Sequence, residues 1–380
     1  MTTSYKWAGY WVCIILEALA ISGCQAQPVP VEPSLYYWKT TLDFGAADRE
    51  QAKKLGLTTL YVRYFDVDWN SGYGAAVPVG TLKWNYDTPS AAWKDLTIIP
   101  TVFITNRTFS KVSAGEVEVL AEKTSQKIQQ LSEQLAEQML WNAYEMDEDE
   151  EWEAAGRRQD SIKQAWLGRI KEVQIDCDWT ASTKERFFQF LEALKRQDPN
   201  LSLSCTLRLH QYRDREQSGI PPVDRAILMC YNTGNIRNVS EDNAILDSRV
   251  VSQYLQGKAY PLPLDAALPL FSWGVWFRGE TYQGLLQGWD EAYVQKQDFL
   301  TRDSKNRYRV LKDTVVGPDY LREGDLVRVD GPAQPEVEKS VQLLKTVVSG
   351  NQARLVFFDW NLQNIRSHEQ AIRTYLAAFR

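Results

Sequence analysis

A (β/α)8 barrel is the fold class the sequence predicts, and three observations predict it. Strand-like segments recur eight times along 380 residues, with helical periodicity between most of them. Each strand segment is apolar at alternate positions, as a stave packed against outer helices must be. The intervening positions are polar or aromatic, and they crowd toward the carboxyl ends of the strands. The length suits one such barrel, residues 35–380, carrying an insertion.

Residues 35–40 form the expected first strand. A helix follows over Ala46–Leu55 and ends at Gly56, which suits the left-handed position after a helix. Residues 59–69 are the second strand and finish in Asp66-Val-Asp68-Trp69. A loop rich in Gly, Asn and Pro then runs to about residue 92. The third strand spans 96–106, although Pro100 inside it cannot donate to a ladder. Val117, Leu120, Ile128, Leu131, Leu135 and Leu140 then mark a long helix over 113–144. Residues 145–153 hold seven acids among nine and read as a solvated helix end or loop.

The fourth strand, 171–180, precedes an amphipathic helix over 183–196 that stops at Asp198-Pro199. Strands at 201–210, 226–232, 267–273 and 355–360 complete the eight, and a helix over 367–379 closes the chain. Residues of about 278–350 are too many for a simple connection. Short strand-like runs at 308–311, 314–316 and 325–329 mark a small β-rich insertion after strand seven.

The fourth strand organises the chemistry. Val173, Ile175 and Cys177 lie on one face, and Gln174, Asp176 and Asp178 on the other. Two Asp two residues apart on one strand have Cα atoms about 6.5 to 7 Å apart, so their charges interact. Carboxylates on an inner face are costly unless function or pairing offsets them. A functional site and an Arg- or Lys-neutralised structural pair are the two readings this leaves open. The working face of such a barrel lies at the strand carboxyl ends. Asp66 and Asp68, Asn106, Asp176 and Asp178, Arg208 and His210, Tyr231 and Asn232, and Asp359 gather there. So do Trp38, Trp69, Trp179, Trp273, Trp276 and Trp360. Acids interleaved with indole faces suit a sugar, whose C–H faces stack and whose hydroxyls bond.

The strand Val-Gln-Ile-Asp176-Cys-Asp178-Trp179-Thr180 resembles the fourth-strand signature D-x-x-D-x-D-x-E of the chitinase-like glycoside hydrolases, family 18. Met229-Cys-Tyr231-Asn232 is similar to that clan's sixth-strand M-x-Y-[DN], and Trp360 falls near its eighth-strand tryptophan. The resemblance is nearer to bacterial lipoprotein barrels of the clan than to true chitinases. It implies a TIM barrel acting on a polysaccharide or glycan, with Asp176 and Asp178 as candidate catalytic residues. The family's general acid is a Glu, and here Thr180 stands at that place while Val173 replaces the first Asp. Threonine delivers no proton at neutral pH, and losing a general acid removes about 10²- to 10⁴-fold of rate. Either Asp66, Asp68 or Asp359 substitutes, or the barrel binds glycan without cleaving it. Trp38, Arg208, Tyr231, Asn232, Trp273, Asp359 and Trp360 are the candidate substrate-binding residues. Asp178, its pKa raised by Asp176, is the preferred proton donor.

Composition narrows the partners. A net charge of −6 without a basic cluster argues against nucleic acid. Two His without metal-ligand spacing make a zinc site improbable, and no cofactor or metal is implied. Cys177, Cys205 and Cys230 sit among apolar residues and read as small buried hydrophobes. At the N-terminus, Lys6 precedes an apolar run over 7–20, then Ile21-Ser22-Gly23-Cys24. This resembles a lipoprotein signal, which implies a signal peptide at 1–23, lipidation of Cys24 and a tether over 24–34. The chain is then expected at the bacterial cell envelope, anchored to a membrane by that lipid. A carbohydrate is its expected partner.

Overall fold

The computed structural model describes residues 30–85, 96–141, 152–257 and 259–379. The expected signal segment, Cys24 and most of the acidic run lie outside them. Eight parallel strands form a closed barrel: β1 (Val31–Tyr37), β2 (Thr59–Asn70), β3 (Thr97–Ile104), β4 (Glu172–Asp176), β5 (Ser202–Arg208), β6 (Arg225–Met229), β7 (Leu264–Pro269) and β8 (Ala353–Phe358). Pairing of β1 with both β8 and β2 closes the ring. The first strand begins at Val31, so part of the expected tether is a stave. Pro100 lies inside β3, paired with Val62.

Helices cover the outside as the periodicity predicts. The helix Ala46–Leu55 ends where Gly56 takes φ 67°, and its N–H reaches the carbonyls of Ala52 and Lys53. Lys184–Gln197 buries Phe187, Phe190, Leu191, Ala193 and Leu194, one apolar stripe against the staves. The connection from β2 to β3 departs from strict alternation. Among the described residues it holds an antiparallel strand, Ala75–Val79, on the end of β2 rather than a helix.

The insertion starts earlier than the sequence suggests. Trp273–Arg278 is its first strand, not the end of stave seven, and the last strand is Leu326–Asp330. Its five-stranded sheet surrounds a small core of its own that includes Trp276, Trp289, Phe299 and Tyr308. Gln334–Leu344 is then the barrel helix that leads into β8. β7 ends at Pro269, and the next strand begins at Trp273.

The lumen departs from the usual branched aliphatic packing of such barrels. Every inward position of β4 is polar: Glu172, Gln174 and Asp176, all buried. At the amino-terminal end Arg354 reaches Glu172 at 2.7 Å and the Tyr61 hydroxyl at 2.6 Å, while Arg225 lies 3.2 Å from Asp265. Removing one partner of a buried pair strands the other charge, which costs about 3–5 kcal/mol. Arg354→Ala is therefore expected to lose about 3–5 kcal/mol in urea unfolding. A loss below about 1 kcal/mol would show that this network does not hold the barrel floor.

Candidate functional site

The mouth is built on the ends of β4, β5 and β6. Asp176 is only 8% exposed and accepts a 2.6 Å hydrogen bond from the Thr206 hydroxyl on the neighbouring stave. Burial pushes its carboxyl up to about 6; Thr206 and Arg208 oppose the rise, and Asp178 and Asp66 add to it. Asp178 stands one step higher. The Arg208 guanidinium grips it bidentately, Nε to Oδ1 at 2.5 Å and Nη2 to Oδ2 at 2.7 Å. Burial thus raises the inner acid, Asp176, while the Arg208 guanidinium engages the outer one, Asp178.

Gln211 fixes this arrangement, and sequence reasoning passed over it. Its amide oxygen accepts the Arg208 N–H at 2.7 Å, and its amide nitrogen donates to the Trp179 carbonyl at 2.9 Å. One fully buried side chain thus holds the backbone on both sides of the ion pair. The signal was only its place after a strand end.

The strand-two acids separate. A bulge between Arg63 and Phe65 turns Asp66 toward Arg63, whose Nε donates at 2.7 Å and whose Nη2 closes a second contact. Asp66 reaches the field of Asp176. Asp68 does not join them: it accepts from the Thr105 hydroxyl at 2.7 Å and the Trp69 N–H at 2.8 Å. The Thr105 hydroxyl holds its carboxyl below the usual range. Asp359 lies near Tyr231, with its carboxyl pushed up by burial.

Aromatic rings line the rest. Trp38 packs against Phe358 at 5.5 Å, with the Arg63 guanidinium 5.6 Å from its ring centre. Tyr231 meets Phe358 at 5.5 Å and Phe271 at 5.8 Å, and Trp273 stands 5.1 Å from Phe271. Phe271 and Phe358 were absent from the expected set, though β8 alternation points Phe358 inward. The Tyr231 hydroxyl is buried without a hydrogen-bond partner, and burial keeps that phenol protonated. Asn232 follows at φ 56°, a left-handed position that Asn tolerates. A cleft of about 410 Å³ opens here between Asp178, Arg208, His210, Tyr231, Asn232 and Tyr254.

Of three further expected indoles, Trp360 and Trp276 lie elsewhere, and Trp179 backs the cleft with its ring buried. Trp360 is fully buried on the helix side, 4.8 Å from Phe44, and donates to Asp48 at 2.7 Å. Trp179 stacks on Phe187 and donates to the Ser218 carbonyl. Trp276 belongs to the insertion core and donates to Asp325. For Trp360 and Trp179 the reason is common: the staves end at Phe358 and Asp176, so strand alternation no longer sets where later residues point.

Thr180 itself turns away from acid chemistry. Its hydroxyl lies 3.0 Å from that of Ser182 and 3.3 Å from that of Thr183, leading into the helix Lys184–Gln197. Cys177, Cys205 and Cys230 are free and buried. Among the described residues no group of three or more His, Cys, Asp or Glu stands so as to hold a metal, and no helix is long and apolar enough to cross a membrane.

No family model and no curated protein sequence matches the chain. Solved structures do. The spore cortex-lytic enzyme SleL of Bacillus cereus is similar at 14% identity and TM-score 0.47, over 93% of this chain and 75% of that one. A fungal endo-β-N-acetylglucosaminidase of glycosyl hydrolase family 18 is similar at 9% identity and TM-score 0.40, over 90% and 97%. At these identities and TM-scores the likenesses carry no argument about activity.

Asp176→Asn keeps an oxygen for Thr206 and removes the charge. The native carboxyl titrates near 6 against an unfolded value of about 3.9. The folded state therefore binds the proton more tightly, and stability falls as pH rises from about 4 through 6. Asp176→Asn should stabilise the protein by about 2–3 kcal/mol at pH 7.5, a gain that disappears by about pH 4, measured by urea unfolding. Equal effects at both pH values would contradict a buried, protonatable Asp176.

Proposed function

We propose that this protein is a glycan-binding barrel, held at the cell envelope by a lipid on Cys24, and that it does not cleave its ligand. The observation that carries the reading is the unpartnered hydroxyl of Tyr231, a residue 4% exposed, beside Asp176 and near the rings of Phe271 and Phe358. A buried polar group without a partner costs about 1–3 kcal/mol. A sugar hydroxyl offers it an acceptor, while the rings of Trp38, Phe271, Trp273 and Phe358 offer stacking faces. Arg63 and Arg208 each spend Nε and Nη2 on an aspartate, which leaves one Nη1 apiece for ligand oxygens.

Hydrolysis lacks its parts. Glycoside cleavage needs one carboxyl to give a proton and a second, free carboxylate to act as base or nucleophile. Asp178 and Asp66 are both committed to arginines, Asp68 is turned to Thr105, and Thr180 has no proton to give at neutral pH. Two features favour a second reading, a glycan hydrolase: the carboxyl of Asp176 poised at about 6 and that of Asp359, also pushed up by burial. Envelope anchoring draws its support from the apolar run and Ile21-Ser22-Gly23-Cys24 alone.

A glycan array probed with residues 25–380 should return carbohydrate hits. On any hit, Trp38→Ala and Tyr231→Phe should each weaken binding by about 1–2 kcal/mol, roughly 5- to 30-fold, by calorimetry. Binding that is indifferent to both would move the ligand out of the mouth. In the native host, Cys24→Ser should release the protein from the membrane fraction and abolish labelling by radioactive palmitate. Unchanged labelling would remove Cys24 as the anchor.

A further inference from the structure

The glycan-binding reading leaves one costly feature of the insertion without a role. Arg328 and Asp330 form an ion pair in which both side chains are 0% exposed. Such pairs are often no better for stability than apolar residues of the same volume, so their retention points to a geometric task. The partners of this pair define that task. Arg328 donates from Nε to Asp330 at 2.7 Å and from Nη1 to the Asn238 carbonyl at 2.6 Å. Asp330 Oδ2 accepts from the Ala244 N–H at 3.1 Å and from the Trp273 indole N–H at 3.5 Å. Trp273 and Asp330 are direct cross-strand partners in the insertion sheet.

The two acceptor contacts reach two elements beside the mouth. Trp273 packs on Phe271, which is part of the aromatic wall. Ala244 belongs to the loop that follows β6, and its carbonyl accepts the Gly234 N–H at 3.1 Å. Gly234 permits this approach because a Cβ there would stand 2.9 Å from the Ala244 Cα. The Thr233 hydroxyl accepts the Asp247 N–H at 2.8 Å from the same return segment. The loop is thereby zipped to itself immediately after Tyr231 and Asn232. One carboxylate, held by one guanidinium, thus ties the Trp273 indole to the segment that follows Tyr231 and Asn232.

We propose that Arg328 and Asp330 are positioning residues of the mouth: they touch no ligand, and they set the placement of Trp273 relative to Tyr231 and Asn232. The insertion is then a brace for the aromatic wall of the sugar-binding mouth. Ring and hydroxyl must meet a sugar together, so a shift of about 1 Å in either loses much of the binding.

The test rests on the glycan reading and is arranged to separate the two. Arg328→Met with Asp330→Leu removes both charges at once, so that neither is left buried alone. Protein labelled with 5-fluorotryptophan gives the Trp273 resonance, assigned by its loss in Trp273→Phe. In the double variant that resonance should shift or broaden. Affinity for a hexamer of N-acetylglucosamine, or for the array hit if different, should fall about tenfold. Adding Trp273→Phe to the double variant should then cost nothing further. An unmoved resonance and unchanged affinity in a folded double variant would overturn the proposal. Should that variant not fold, Trp273→Phe alone keeps a stacking ring and loses the tether, and undiminished affinity overturns the proposal equally. Wild-type protein that binds no glycan overturns the underlying reading instead, and the fluorine resonance then decides the positioning role by itself.

Discussion

Charge inside a barrel has to be matched, and that constraint shapes this molecule from floor to mouth. The β4 face that lines the lumen carries Glu172, Gln174 and Asp176 where an aliphatic column is usual. Each acid is met in its own way. Glu172 has Arg354, Asp176 keeps its proton up to about 6 and takes a hydrogen bond from Thr206, and Asp178 above them has Arg208. An ionised carboxylate left without such a match would cost several kcal/mol. The same rule runs through the insertion, where Arg328 neutralises Asp330.

Matching has a functional consequence. A carboxylate gripped bidentately by an arginine is a poor base and a poor nucleophile, because its lone pairs are already engaged. At this mouth the grip applies to Asp66 and Asp178, the two acids best placed to work with Asp176. Thr180, meanwhile, has passed into the hydroxyl cluster at the start of a helix. The mouth also holds tilted rings, guanidinium Nη1 groups and a phenol kept protonated by burial.

The sequence made the barrel legible because strand alternation and helix periodicity report burial directly. Val173, Ile175 and Cys177 against Gln174, Asp176 and Asp178 separated as period two requires, and Gly56 ended its helix. The grouping of Asp178, Arg208, Tyr231 and Asn232 followed from their places at or just beyond the carboxyl ends of the staves. Trp360 and Trp179 did not follow, since the chain leaves the sheet before reaching them and packing against helices decides their direction. Partner choice was equally hidden. Nothing local to Asp178 shows that Arg208, thirty residues on, takes both its oxygens, or that Gln211 holds the pair in register. The insertion boundary was obscured by Trp273, whose apolar neighbours read equally well as the end of a stave or the start of a new sheet.

Product analysis tests the central claim most directly, that a mouth with its outer carboxylates locked by arginines binds glycan without breaking it. The protein is incubated with each glycan it binds, between pH 4 and 8, and new reducing ends are sought by mass spectrometry. The account predicts intact ligand at every pH. Shortened products that form with the wild type and vanish with Asp176→Asn would contradict it.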